Sequence, residues 1–287
     1  MRREPTPTRT KRPRGLLMAL CLVGATLIQA CDEAAAAPPV LQVIASESEG
    51  TYTFDMPETV EEGPTRIDFV NNGEEPHHVQ LFKLNEGVTI EEVAEGLRSG
   101  PEAVLDLGHF EGGTGLVAPH QESQVDAVVD LTAGTYVVVC FVPGPDGAPH
   151  LAHGMLRPLE VTEGTPSAAP PEATHQVDLL DYALVLPDEL PGDALLEVTN
   201  KASMEPHEMI VAPLPEGVSV DDVLASIEAG EPRPSAAVGG MQAIMPGETQ
   251  HLQLDLEPGE YVVWCEIPSP DGASHAQKGM IRSVTVQ

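Results

Sequence analysis

The chain has 287 residues, enough for two domains with cores of their own. Hydrophobic residues make up 41% and aromatics only 3%, while 28 Pro and 26 Gly favour turns and short strands over long helices. The formal net charge of −31 sets nucleic acid aside as a partner, because phosphates would be repelled.

Residues 1–30 read as an export signal. Arg2, Arg3, Arg9, Lys11, Arg12 and Arg14 form a basic start, and Leu16 to Ile28 form an apolar run too short and wrongly flanked to span a membrane. The run Leu27-Ile28-Gln29-Ala30-Cys31 resembles a lipobox, which makes Cys31 the lipidation site. An ordinary signal peptide followed by a chance Cys is the other reading. Residues 31–39, with the Ala/Pro stretch Ala34 to Pro39, suit a flexible tether, and the acyl chains would anchor the protein to a bacterial membrane, facing periplasm or exterior. Without residues 1–30, eight basic and 44 acidic residues remain, a net charge of −36. Such a surface steers the chain toward a basic protein partner or serves only solubility.

The remainder is a tandem repeat. Residues 134–161 and 259–286 match without gaps at 15 of 28 positions, and 74–97 aligns with 204–227. The predicted organisation is a domain at 40–162, a Pro/Ala/Ser/Thr-rich linker at 163–174, and a second domain at 175–287. Short alternating runs such as Arg66 to Val70 and Leu195 to Val198 predict half-buried strands. His77 to Leu84 predicts another strand. One helix per repeat follows, Thr89 to Leu97 and Ser219 to Ile227, with acidic residues in its first turn. Gly112-Gly113 and Gly239-Gly240 read as turns before two further strands and a final strand ending at Val161 or Val286. The pattern predicts an all-β fold: two antiparallel Greek-key sandwiches, each with one short helix.

Cys140 and Cys265 are the Cys residues left after the export signal and Cys31. An oxidising compartment permits a disulfide between them. Their equivalent positions in the two repeats argue instead for two separate thiolate sites. Alternation places Tyr136, Val138 and Cys140 on one inward face, as it does Tyr261, Val263 and Cys265. Ten residues after each Cys comes a His (His150, His275), and five residues after that a Met (Met155, Met280) preceded by Gly. A remote His follows Pro in Pro76-His77 and Pro206-His207. Each residue alone has a plain structural reading, but the same four types recur in order in a diverged copy. A thiolate and two imidazoles form a trigonal set that accepts both oxidation states of copper, with a weak axial thioether tuning the potential. His78 and His153 have Glu208 and Lys278 as counterparts; His78 reads as a surface residue facing away from His77, with a second, low-affinity copper site using His78 or His153 as the other reading, and His109, His120, His175 and His251 read as surface residues. Met204, Met209, Met241 and Met245 read as core.

The segment Asn71 to Val79 and the loops Cys140 to Met155 and Cys265 to Met280 resemble the ligand segments of the cupredoxins: plastocyanin, azurin and the type 1 sites of copper nitrite reductases. The His-x4-Met spacing is that of plastocyanin. The Cys-to-His interval is longer than in plastocyanin and one residue longer than in copper nitrite reductases. The resemblance covers both repeats and implies one type 1 copper per domain, held by His77, Cys140, His150 and Met155 and by His207, Cys265, His275 and Met280. The function implied is electron transfer with a redox partner protein. Copper delivery or storage, a metal-free Ig-like interaction lipoprotein, and an enzyme are the alternatives. The enzyme is disfavoured, because Val139, Phe141, Trp264 and Glu266, rather than His, flank the two Cys residues.

Overall fold

A computed structural model describes residues 37–48 and 50–287; Cys31 and the export segment lie outside the described residues. Among the described residues no helix is long and apolar enough to cross a membrane. The first repeat forms β1 (Val40–Ser48), β2 (Thr51–Asp55), β3 (Thr59–Glu61), β4 (Gly63–Asn71), β5 (His77–Leu84), α1 (Ile90–Leu97), β6 (Gly108–Val117), β7 (Gln121–Glu122), β8 (Val125–Leu131), β9 (Gly134–Val139) and β10 (Leu156–Thr162). The second forms β11 (His175–Leu180), β12 (Ala183–Val185), β13 (Glu189–Leu190), β14 (Leu195–Asn200), β15 (His207–Pro213), α2 (Val220–Ala229), β16 (Gly239–Ile244), β17 (Thr249–Leu254), β18 (Gly259–Trp264) and β19 (Ile281–Val286).

Alternation decides the faces. Along β1, Leu41, Val43 and Ala45 are buried while their neighbours reach solvent, and Leu196, Val198 and Asn200 do the same in β14. In the first repeat β8-β4-β1-β2 lie in one sheet and β6-β5-β9-β10-β3 in the other. The chain passes back and forth between the two layers, and their inward faces meet in one core. The result is all-β, two tandem β-sandwiches with one short helix each. The sheets are mixed rather than purely antiparallel: β1 runs parallel to β4 and β11 to β14. The cause is the route of the chain. After β1 it passes through the hairpin strand β2 and through β3 in the opposite sheet before it returns as β4. Each helix opens with a capping box, Thr89 with Glu92 and Ser219 with Asp222, which satisfies backbone N–H groups at its start. The core strands β9 and β18 are each fixed by a Tyr hydroxyl that donates four residues back, Tyr136 to Thr132 O (2.9 Å) and Tyr261 to Glu257 O (3.0 Å).

The two sandwiches join edge to edge. Strand β8 pairs antiparallel with β17, and β6 with β16, so both layers run through the two repeats without a break. The edge strands thereby satisfy each other's backbone groups. Two buried glutamines lock this seam. Gln80 donates to Ala243 O (3.1 Å) and accepts from Ala243 N–H (2.9 Å), while Gln250 donates to Gly113 O (2.9 Å) and accepts from Gly113 N–H (2.9 Å). The Gly-Gly pairs expected to be turns lie instead in or at the start of strands, β6 and β16, beside the seam. Gly113 (φ +134°) and Gly240 (φ +123°) have backbone that favours glycine, and a Cβ on either would fall 1.9 Å from a carbonyl oxygen of the neighbouring strand.

Candidate metal centres

Each centre is assembled from two strands and one loop. The first His opens β5 or β15, and the Cys directly follows β9 or β18. A buried Asn at the end of the preceding strand fixes the segment before the first His. Asn71 Nδ2 donates to Glu75 O (2.8 Å) and Val117 O (3.0 Å), and its Oδ1 accepts from Gly73 N–H (2.8 Å). Asn200 repeats this with Glu205 O (3.1 Å), Ile244 O (2.9 Å) and Ala202 N–H (2.9 Å).

The long Cys-to-His loop folds into a small closed hairpin. In domain 1 Pro143 bridges Pro149, Gly144 N–H donates to Ala148 O (2.8 Å), and Gly147 takes the positive φ of +83°. His150 N–H then returns to Val142 O (2.9 Å) and Leu151 N–H to Cys140 O (3.0 Å). The second loop repeats the device, with a Pro268–Ser274 bridge, Gly272 at φ +84° and His275 N–H on Ile267 O (2.9 Å). A single 3-10 turn then carries the chain to Met155 or Met280, whose N–H donates to His150 O (3.0 Å) or His275 O (2.9 Å). Cys140 N–H closes the ring on Met155 O (3.3 Å) and Cys265 N–H on Met280 O (3.1 Å). The extra residues are thus set aside in the hairpin while both loop ends stay beside the Cys.

The ligand atoms converge. His77 Nδ1 and His150 Nδ1 lie 3.0 Å apart, with Cys140 Sγ 3.8 Å and 3.6 Å from them. In domain 2 His207 Nδ1 and His275 Nδ1 are 2.9 Å apart, with Cys265 Sγ 3.4 Å from His275 Nδ1. His77, Cys140 and His150 are fully buried, as are His207, Cys265 and His275, and Met155 and Met280 are fully buried in the same core cluster. No disulfide joins the two thiols.

The chemistry of this donor set asks for a cation. Burial pushes the Cys140 thiol up to about 12 and Cys265 well above its usual value, so a thiolate there needs a positive partner. Burial also lowers all four imidazoles, His207 to about 4, which keeps them neutral with a free lone pair. In domain 1 the tautomers are fixed from outside. His77 Nε2 meets Glu47 Oε1 at 2.6 Å and His150 Nε2 meets Glu75 Oε2 at 3.0 Å, so both Nε2 atoms carry the proton and both Nδ1 lone pairs face inward. Two imidazole lone pairs and a sulfur pressed together repel unless a metal sits among them. The set fits one type 1 copper per domain, the donor arrangement of an electron-transfer centre rather than of a catalytic multi-copper centre.

Contacts behind the ligands differ between the repeats. Tyr52 stacks on His150 (ring centroids 4.1 Å, planes 14° apart) and donates to Glu75 Oε1 (2.8 Å). In domain 2 Tyr182 meets His275 edge-on at 5.3 Å. Glu205 Oε2 lies 2.9 Å from His275 Nε2, but out of line for a hydrogen bond, and His207 Nε2 has no hydrogen-bond partner among the described residues.

His78 was expected on the surface and is buried. It does point away from His77, but the outer face of its sheet is covered by α1, aromatic side chains and the seam. Phe141 N–H donates to His78 Nε2 (2.6 Å), and in domain 2 Glu266 N–H donates to Glu208 Oε1 (2.9 Å). The residue after each Cys is thus braced by the residue after each first His. Gln242 interacts with His78 across the seam and with Glu208 in its own repeat; burial lowers His78 to about 3 and raises Glu208 to about 7. Met204 was expected in the core and is 80% exposed, whereas Met209 and Met241 are buried. His109 pairs with Glu111 (2.7 Å) near Glu248, a partly exposed group beside the seam.

No family model and no curated protein matches the chain. Among solved structures it is similar to auracyanin A, a "blue" copper protein from the green thermophilic photosynthetic bacterium Chloroflexus aurantiacus (24% identity over 44% of this chain and 100% of that one, TM-score 0.31). It is also similar to a multicopper oxidase (15% identity, 86% of this chain and 88% of that one, TM-score 0.27). A third is the copper nitrite reductase of Nitrosomonas europaea (14% identity, 86% of this chain and 94% of that one, TM-score 0.26).

Proposed function

We propose that this protein is an extracytoplasmic, lipid-anchored electron carrier with one redox-active copper in each domain. The observation that carries the reading is the convergence, twice over, of a buried thiol with two neutral imidazoles whose Nδ1 atoms stand 2.9–3.0 Å apart. Bound there, copper would supply a one-electron couple between Cu(I) and Cu(II). The chain's own residues do the rest. On metal binding the thiol protons of Cys140 and Cys265 would be released to solvent, leaving soft thiolates as donors. His77, His150, His207 and His275 would offer Nδ1, and Met155 and Met280 a weakly binding thioether. The closed hairpin loops and the Asn71 and Asn200 clamps hold these groups in one arrangement for both oxidation states, which keeps reorganisation small. Full burial excludes water from the sulfur.

Cys31 is the proposed attachment point for the lipid, and the net charge of −36 that remains after residue 30 favours a redox partner with a basic docking face over any nucleic acid. The test is a redox cycle on the copper-loaded protein with a Cu(I) chelator in the buffer. An electron carrier loses its blue colour at one electron per copper and regains it on reoxidation with its copper retained. Release of Cu(I) to the chelator at the first reduction favours copper delivery, and failure to bind copper leaves a metal-free interaction module. The anchor is checked separately by mass spectrometry of the mature N-terminus, which should begin at a diacylated Cys31.

A further inference from the structure

The two centres share their ligand atoms but not the groups behind the first His. Strand register makes Glu47 and Asp181 equivalent: Ala45 pairs with Asn71 and Leu179 with Asn200, and each carboxylate lies two residues beyond. Both brace the segment ahead of the first ligand. Glu47 accepts from Glu74 N–H (2.8 Å) and Glu75 N–H (3.2 Å), and Asp181 from Ser203 N–H (3.0 Å) and the Ser203 hydroxyl (3.0 Å). Glu47 is one methylene longer and also reaches His77 Nε2 at 2.6 Å. Asp181 makes no such bond, and His207 Nε2 is buried with no hydrogen-bond partner among the described residues. The second His faces a carboxylate in both domains, Glu75 at 3.0 Å and Glu205 at 2.9 Å. The contrast is therefore sharpest at the first His.

We propose that Glu47 is a positioning residue that holds the copper centre of domain 1 at a lower reduction potential than that of domain 2. A carboxylate on the N–H of a ligating imidazole strengthens the ring as a donor and adds negative charge close to the metal, and both effects favour Cu(II) over Cu(I). The effect is strong here because the ring is fully buried and little water screens it. The pair then has an order: in a chain holding one electron, the copper of domain 2 is the reduced one. This inference rests on the copper reading above.

The experiment is a spectroelectrochemical titration of the copper-loaded Cys265→Ser and Cys140→Ser variants, each of which leaves one centre. The domain 1 centre should be harder to reduce, its Cu(II)/Cu(I) ratio at a given potential higher by about tenfold or more, which is ~59 mV for a one-electron couple. Glu47→Gln should raise the domain 1 potential toward that of domain 2, with its blue band intact. Asp181→Glu should do the reverse in domain 2, by supplying the missing reach. Equal potentials in the two centres, or a Glu47→Gln variant that stays blue at an unchanged potential, overturn the inference while leaving copper binding in place. A protein that never turns blue overturns the copper reading and this inference together.

Discussion

The loops Cys140 to Met155 and Cys265 to Met280 fold with largely the same backbone bonds, whereas the hairpins β1–β2 and β11–β12 that lean on the ligands differ. In domain 1 the hairpin brings Glu47 and Tyr52 onto the two imidazoles. In domain 2 the shorter hairpin brings Tyr182 edge-on to one ring, and the other ring's Nε2 has no hydrogen-bond partner among the described residues. The backbone that places donor atoms tolerates little change, because a displaced Nδ1 or Sγ loses the metal. The residues behind the donors can vary, and variation there changes the properties of a centre without abolishing it.

Substitutions in matched pairs sharpen this comparison. The largest effect is expected at the seam glycines. Gly113→Ala and Gly240→Ala each set a Cβ against a backbone carbonyl at positive φ, so each should cost about 3 kcal/mol or more in chemical denaturation. A large loss at one and none at the other would break the claim that the two repeats share this backbone. Next come the clamps. Asn71→Ala and Asn200→Ala each leave two carbonyls and an N–H without their partner, at a cost of about 2–3 kcal/mol each, and should broaden the spectrum of the copper bound in that domain alone.

The smallest effect is expected at Glu248, beside the seam. Burial, with Glu111 nearby, raises Glu248 from 4.5 to about 7. The folded chain therefore holds a proton that the unfolded chain has lost, and this contribution is full below pH 4.5 and fades as pH rises through about 7. Glu248→Gln keeps an acceptor for Met245 N–H and removes the charge. It should raise stability at pH 8 by about 1 kcal/mol, after allowance for solvent screening, and leave it unchanged at pH 4. An equal gain at both pH values would show that the charge is not the cause.

Much of this was legible in the sequence, and the reasons are local. Period-two alternation marks Leu41, Val43 and Ala45 as inward-facing, and a repeated Cys, His, Met spacing marks the ligand loop because both copies must satisfy one geometry. The capped helices follow from Thr89 with Glu92 and Ser219 with Asp222. What stayed hidden depends on contacts between distant segments. Glu47 lies 30 residues from His77, and among 45 acidic residues nothing local singles it out. The seam was invisible for a related reason. Gly112-Gly113 has the composition of a turn, and only the approach of β16 makes it a strand position. His78 was misplaced because alternation gives direction, while burial depends on what covers the outer face. Gln80 and Gln250 look like solvated residues until the partner domain supplies Ala243 and Gly113.

Titration of the purified mature protein with Cu(II), followed by visible absorption, tests the central claim most directly. Two equivalent but separate thiolate centres predict an intense blue charge-transfer band that saturates at two copper ions per chain. With Cys140→Ser or Cys265→Ser it should saturate at one, and in the double variant it should be absent. A band that saturates at one copper in the unaltered chain, or that persists when both Cys residues are replaced, would contradict it.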